Sequence, residues 1–287
     1  MLANKLQRPN CAVIIVTHNN ELHIEKVMHS LENQTFLPSE IVIIDSGSTQ
    51  PDYLFPYQHG MHRIPTKVIF EDNIGFCKGN NLGVSRLPSS TEYILFLNPD
   101  TFLTTNFIEK AIALMENPSN QLWGMLSGTL LGYDIIENRP TDKYDSTGIF
   151  QKWYGRWYDR DQGTQYQSGK YQYPEAVKAL CGALLFCRKK ALDSILLNGS
   201  DVFDNSFFMY KEDIDLSLRL KKTGYLLMFI PELIAYHCRG WKKDRRTISR
   251  KLRLHSAKNE ITLHMRSYSP FVVYSMLKYL YVRIFNR

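Results

Sequence analysis

At 287 residues, with 44% hydrophobic and 22% charged side chains, the chain is long enough to bury a full core and carries no low-complexity tract or repeat, which excludes a fibrous or disordered protein. Five scattered cysteines (Cys11, Cys77, Cys181, Cys187, Cys238) without metal-type pairing read as reduced core residues and exclude a disulfide-stapled scaffold. A net charge of +7 leaves three classes of partner open, namely nucleic acid, anionic lipid and phosphorylated ligands.

The order of elements narrows the fold. Cys11–Val16 is an apolar, β-branched run and predicts a buried strand; Glu21–Leu31 has helical spacing, with Leu22, Val27, Met28 and Leu31 on related faces. Glu40–Ile44 predicts a second strand that ends at Asp45 and the turn-rich Ser46-Gly47-Ser48. Lys67–Phe70 predicts a third, followed by a loop over Glu71–Gly79 and a helix through Leu87. Tyr93–Leu97 predicts a fourth, and Asn106–Met115 a helix. Such βαβα alternation predicts an α/β fold with a mostly parallel open sheet flanked by helices.

Three predicted strands stop at polar clusters: Thr17-His18-Asn19, Asp45-Ser46-Gly47-Ser48 and Asn98-Pro99-Asp100. In a parallel sheet those ends share one edge, where open α/β sheets bind their ligands. Asp45 can accept hydrogen bonds from a base or ribose, and Asp100 can hold a divalent cation that bridges two phosphates. Taken singly, each residue is also an ordinary cap or turn residue. The glycine-rich Asn73–Gly83 segment matches neither a Walker phosphate loop nor a dinucleotide fingerprint, which argues against a conventional ATPase or dehydrogenase.

Further along, Tyr133–Pro174, with Trp153, Tyr154, Trp157 and Tyr158, reads as a long ordered loop over the crevice, where ligand specificity is expected. Glu212 and Asp213 stand just before the helical run Ile214–Lys222, either as first-turn punctuation or with one acid facing the crevice as a general base; Asp213 is the choice for that base. Tyr210 ends an aromatic stretch able to stack on a sugar. His237 follows the apolar Leu226–Ala235 as another strand-end donor. Much of the positive charge lies after Arg239, interleaved with Trp241, Tyr268, Phe271, Tyr274, Tyr279, Tyr281 and Phe285. Either Phe271–Phe285 docks as a helix on its own domain, or the extension lies on an anionic membrane. No nucleic-acid module accompanies the charge, so nucleic acid is not an expected partner. Neither a signal peptide nor a spanning segment is expected, since Met1–Asn10 is polar and no apolar run reaches roughly 18 residues.

Val13–Asn19, Ile43–Ser48, Asn73–Phe76 through Asn81–Gly83, Leu97–Asp100, Gly182–Leu185, Phe207–Arg219 and Pro231-Glu232 with His237 together resemble a family 2 glycosyltransferase of the GT-A fold, in its rhamnosyltransferase-like branch. The resemblance implies inverting transfer of a sugar from a nucleoside diphosphate, with dTDP-rhamnose as the expected donor and a glycan or lipid-linked glycan as acceptor. It implies that Thr17, Asn19, Asp45, Ser46, Asn73, Gly75, Asn81 and Asn98 line the nucleotide, Asp45 reading a pyrimidine base. Asp100 and His237 are implied ligands of Mg²⁺ or Mn²⁺, Asp213 is the implied catalytic base, and Glu212, Tyr210 and Trp153 fall at the acceptor. The family's common D-x-D is here Asn98-Pro99-Asp100, which removes the first carboxylate. The implied organisation is a GT-A domain over 1–240, with a nucleotide-binding half (10–100) and an acceptor-binding half (101–240), and a basic, aromatic helical extension over 241–287. The implied setting is the cytoplasm, peripherally at the inner face of the plasma membrane. Two alternatives stay open: another donor, such as a galactofuranosyl or hexosamine uridine nucleotide, and a non-catalytic nucleotide-sugar-binding protein.

Overall fold

The computed structural model describes residues 9–60, 62–238 and 250–285; the start of the basic extension, including Trp241, lies outside the described residues. Strands β1 (Cys11–Thr17) and β2 (Glu40–Ser46) are buried along their whole length and pair in parallel, which sets Thr17 opposite Asp45. Such continuous apolar runs suit strands covered on both faces. β3 (Thr66–Glu71) extends the sheet beyond β2, and β4 (Tyr93–Leu97) joins on the other side of β1, both parallel. Helices α1 (Glu21–Glu32), α2 (Phe55–His59) and α3 (Gly75–Ser85) lie in the connections. On α1 the buried stripe is Ile24, Val27, Met28 and Leu31, and Leu22 is exposed because it falls on the opposite side of the turn. α3 presses its backbone onto β1: a Cβ on Gly83 would stand 2.5 Å from Ile14 Cγ2, a contact that only glycine avoids.

The second half continues the same sheet. Its elements are β5 (Thr101–Leu103), α4 (Phe107–Glu116), β6 (Trp123–Asp134), β7 (Arg139–Ser146), β8 (Ile149–Gln151), β9 (Trp157–Asp159), β10 (Glu175–Ala176), β11 (Leu184–Arg188), α5 (Lys189–Asp193), α6 (Glu212–Lys222) and β12 (Leu226–His237). The strand order is β10-β12-β6-β11-β4-β1-β2-β3, with β5 on β12 and β7 on β6. β12 and β6 are parallel, whereas β11 runs antiparallel to both β4 and β6. The parallel arrangement expected from βαβα alternation therefore holds for β1–β4, and the sheet becomes mixed where the chain reverses. One ten-stranded sheet joins the two expected halves.

The segment 133–174, expected as a long loop, is instead partly a sheet: β7 pairs with β6, and β8 and β9 form a separate two-stranded ribbon. Its strands escaped sequence reading because the first five residues of β7 are exposed and four of them are polar, so no apolar alternation marks them. Two helices follow, α7 (Arg250–Arg266) and α8 (Val272–Phe285). α7 docks on the domain through buried Ala257, Asn259, Glu260, Leu263 and His264, and α8 rests against it through Ser275 and Val282 and the Lys278–Glu260 ion pair. Among the described residues no helix is long and apolar enough to cross a membrane.

Asn81 of α3 ties the two halves together. Its Nδ2 donates to the Phe203 carbonyl (2.8 Å) and to Asn205 Oδ1 (3.0 Å), while its Oδ1 accepts from the Val202 and Phe203 N–H groups (3.0 and 2.9 Å). All four hydrogen-bonding positions of the amide are thus spent on its own chain, and none is left for the nucleotide expected there. Asn81→Ala strands buried backbone groups and is expected to lower unfolding free energy by about 2–4 kcal/mol in urea denaturation, with nucleotide affinity of the folded fraction unchanged.

Candidate functional site

The β1–β2 edge forms the first part of the site. Asp45 sits at the end of β2, buried, and both of its oxygens turn to Ser48, accepting its N–H at 3.0 Å and its hydroxyl. The Tyr53 hydroxyl joins Thr17 Oγ1 (3.0 Å) and Ser48 Oγ (3.1 Å). Asn19, at φ +52, accepts the Thr49 N–H at 2.8 Å, so the two loops are laced together. Ser46 Oγ accepts the Gly75 N–H at 3.0 Å, and Gly75 is required there: it sits at φ +78, with Phe208 2.5 Å from where a Cβ would be. Asn73 is exposed beside Gly47 on the same rim. Thr17, Asn19, Asp45, Ser46, Asn73 and Gly75 are thereby gathered at one sheet edge.

Neighbouring strand ends supply the second part. Asn98, half-buried after β4, donates its N–H to the Ala183 carbonyl at 3.0 Å, and β5 pairs with β12 so that Thr101 faces His237. That register brings His237 Nε2 within 3.3 Å of Asp100 Oδ1. On its other side, Nδ1 lies 2.7 Å from Oδ2 of Asp145, a fully buried carboxylate at the end of β7. Burial opposes a charged His237, but the fields of Asp100 and Asp145 prevail and lift its pKa to about 9. Burial likewise works against an ionised Asp100; His237 and then the nearby His23 of α1 outweigh it and hold the carboxyl below its ordinary value.

This pair of donors fits a divalent cation. Two ligands on adjacent corners of an octahedron of about 2.1 Å radius stand about 3 Å apart, close to the observed 3.3 Å between Asp100 Oδ1 and His237 Nε2. A carboxylate on the far nitrogen is the usual brace for a metal-binding imidazole, and Asp145 is that brace. Proton and cation compete for the same place between Nε2 and Oδ1. Among the described residues no group of three or more His, Cys, Asp and Glu stands together, so a cation held by this pair would need further oxygen ligands.

The third part is the acid pair. α6 begins at Glu212, two residues before the start expected from sequence, so both acids lie inside its first turn. Asp213 is half-buried; its Oδ2 accepts the Gly182 N–H at 3.0 Å, next to the Ala183–Asn98 contact, and its Oδ1 accepts the Ile214 N–H at 2.8 Å. Glu212 is buried, and its Oε2 has no hydrogen-bond partner among the described residues. Burial and then the charge of Asp213 push its pKa up to about 8. Glu212, for which an acceptor contact is expected, is thus buried in the first turn, whereas Asp213 is half-buried beside the Gly182–Ala183 turn.

Immediately before the pair, Tyr210 and Lys211 both adopt left-handed backbone, at φ +69 and +74. Strain of this kind persists only when neighbours hold it. Here the buried Asn259 of α7 does so, donating from Nδ2 to the carbonyls of Met209 and Tyr210, both at 2.9 Å. The Tyr210 side chain is partly exposed at the rim. Trp153, in contrast, is 86% exposed at the β8–β9 turn, where its ring meets Tyr154, which in turn meets Tyr274 of α8; the turn carries it to the α8 side of the molecule.

A profile of the family described as "Glycosyl transferase family 2" matches residues 12–196, more than half of the chain. The chain belongs to that family. It is 26% identical over 230 residues to rhamnosyltransferase WbbL of Escherichia coli K12, covering 78% of this chain and 82% of that protein. To the N-acetylglucosaminyl-diphospho-decaprenol L-rhamnosyltransferase of Mycobacterium tuberculosis (strain CDC 1551) it is 24% identical over 249 residues, 81% of this chain and 77% of the other. In fold it is similar to the crystal structure of GalNAc-T7 with UDP, GalNAc and Mn²⁺, with a TM-score of 0.65 and 16% identity over 90% of this chain and 48% of that one. The fold is GT-A.

Asp145, Tyr53, His23 and Asn259 were not legible as site residues. Asp145 lies in the polar run Asp142–Ser146 and Asn259 in the middle of a basic helix, and nothing local in either segment marks them. For Glu212 a pH effect follows. Below its ordinary value of 4.5 the carboxyl is protonated in both states; from there to about 8 the unfolded chain has released the proton that the folded chain keeps, so stability falls as pH rises. Glu212→Gln is expected to remove that part of the slope, read as Tm against pH by differential scanning fluorimetry.

Proposed function

We propose that this family 2 glycosyltransferase is an inverting, metal-dependent enzyme that moves L-rhamnose from dTDP-rhamnose to a hydroxyl of a lipid-linked glycan in cell-surface polysaccharide synthesis. The observation that supports the reading is the Asp100–His237 pair after β4, with Asp213 accepting the Gly182 N–H one residue from the Ala183–Asn98 hydrogen bond. Asp45, with Thr17, Asn19, Ser46, Asn73, Gly75 and Asn98, lies on the edge assigned to the nucleotide. The rhamnosyltransferase names of two curated relatives support the donor sugar, and the diphospho-decaprenol in one of those names supports a lipid-linked acceptor.

In this reading Asp213, positioned by the Gly182 N–H, accepts the proton of the acceptor hydroxyl as its oxygen attacks the anomeric carbon. The bond from that carbon to the diphosphate oxygen breaks, and its electron pair leaves with the nucleoside diphosphate. Asp100 and His237 would hold Mg²⁺ or Mn²⁺, which supplies neutralising charge to the departing diphosphate. Tyr210 borders the acceptor, and the strain at Tyr210 and Lys211 sets the direction in which α6 presents Asp213. The free cysteines accord with a cytosolic setting. A second donor reading, a UDP-sugar, is favoured by the fold neighbour that was crystallised with UDP.

Asp213→Asn is expected to lower kcat by about 10²–10⁴-fold with donor affinity nearly intact, measured as sugar transfer and as nucleotide binding by calorimetry; near-full turnover in that variant would remove Asp213 as the base. Thermal shifts with dTDP and UDP, each with and without Mn²⁺, separate the donors: the larger metal-dependent stabilisation marks the cognate nucleotide. Asp145→Asn is expected to weaken Mn²⁺ binding by about 10–100-fold in a titration, because the imidazole loses its brace.

A further inference from the structure

We propose that the outward face of α8 is a membrane-contact surface that seats in the plane of an anionic lipid bilayer. Val273, Met276, Leu277, Leu280 and Ile284 follow the i, i+3, i+4, i+7, i+11 spacing of one helix stripe, and each is 47–68% exposed. A surface helix ordinarily turns such a stripe inward. α8 does the reverse: Ser275, Lys278 and Val282 face α7, with Lys278 paired to the buried Glu260, while the apolar row faces out. Trp153 stands at the same end through the Tyr154–Tyr274 contact, and Tyr268, 95% exposed, lies in the turn that leads into α8. Aromatic rings beside an exposed aliphatic row suit the boundary between headgroups and acyl chains.

Charge selects the occupant. Within α7 and α8 and the turn between them stand seven Lys and Arg and a single carboxylate, Glu260, which is buried and already paired. From residue 239 to the end the sequence holds 13 of the 35 Lys and Arg and two of the 28 Asp and Glu, a net +11 against −4 for residues 1–238, which together make the +7 of the chain. A second copy of the chain would bring two such cationic tails face to face. An anionic lipid surface complements them, and basic residues flanking an apolar helix face are the pattern of in-plane attachment. At about 1.5 Å per residue the 14 residues of α8 span about 21 Å, short of the roughly 30 Å hydrocarbon core, so the helix lies on the bilayer and does not cross it.

The inference rests on the proposed function only for its purpose. α7, through Asn259, holds the strained turn before Asp213, so the helix pair that meets the lipid also supports the acid assigned to a lipid-linked acceptor. The contact itself needs neither donor nor acceptor. Its test is sedimentation of the full chain with vesicles of phosphatidylcholine alone and of phosphatidylcholine and phosphatidylglycerol in equal parts, at low and high salt, alongside Leu277→Glu/Leu280→Glu/Ile284→Glu and the milder Leu277→Ser/Leu280→Ser. The expected result is binding to the anionic vesicles that salt weakens, and a loss of about tenfold or more in the Glu variant with its nucleotide-induced thermal shift retained. The proposal is overturned if the wild type stays in the supernatant, if either variant binds as tightly as the wild type, or if ultracentrifugation shows a dimer that the variants convert to monomer. Lipid binding without any nucleotide response would count against the transferase reading and leave this one standing.

Discussion

A carboxylate with no solvent exposure, bonded at 2.7 Å to an almost fully buried imidazole, is the interaction on which the arrangement of the site depends. Taking both charges out of water is costly, and the pair holds only because the imidazole lies between two carboxylates, Asp145 behind it and Asp100 in front. The geometry is set by strand register. β7 pairs with β6, β6 with β12 and β12 with β5, and each pairing passes the position of one residue to the next until Nε2 faces Oδ1. A one-residue slip in any of these strands would turn the side chain to the other face of the sheet.

The same logic governs the acid pair. β11 runs back along β4, so the Gly182–Ala183 turn lies against Asn98, and the Gly182 N–H holds Asp213 at the end of the strand that leads to Asp100. Adjacent acids on a helix diverge by about 100°, and burial separates their surroundings: Glu212 lies in the core with its pKa raised, while Asp213 is half-buried beside Gly182. The left-handed pair Tyr210–Lys211 sets where α6 begins, and its strain is held from outside the catalytic sheet by Asn259. The C-terminal helices are therefore part of the site's support as well as an appendage to the domain.

α8 carries the opposite polarity from a helix that completes a core. Its inner face is Ser275, Lys278 and Val282 and its outer face is an exposed aliphatic row. A charge distribution that separates an acidic body from a basic tail places this aliphatic row in the most basic part of the chain.

Local sequence was enough for whatever depends on neighbours along the chain. The continuous apolar runs of β1, β2 and β4 and the polar residues at their ends determined a parallel edge, and Thr17, Asp45, Asp100, Asp213 and His237 are set at strand ends or helix starts where their patterns place them. What depends on partners distant in sequence was decided only by the tertiary fold. The antiparallel β11, the strands hidden in 133–174, the diversion of Asn81 to the 202–205 loop and of Trp153 to the α8 side, and the recruitment of Asp145 and Asn259 all arise from such partners. Periodicity reports which side of an element is buried; it carries no information about which other element buries it, because that is settled by strand pairing and packing across many tens of residues.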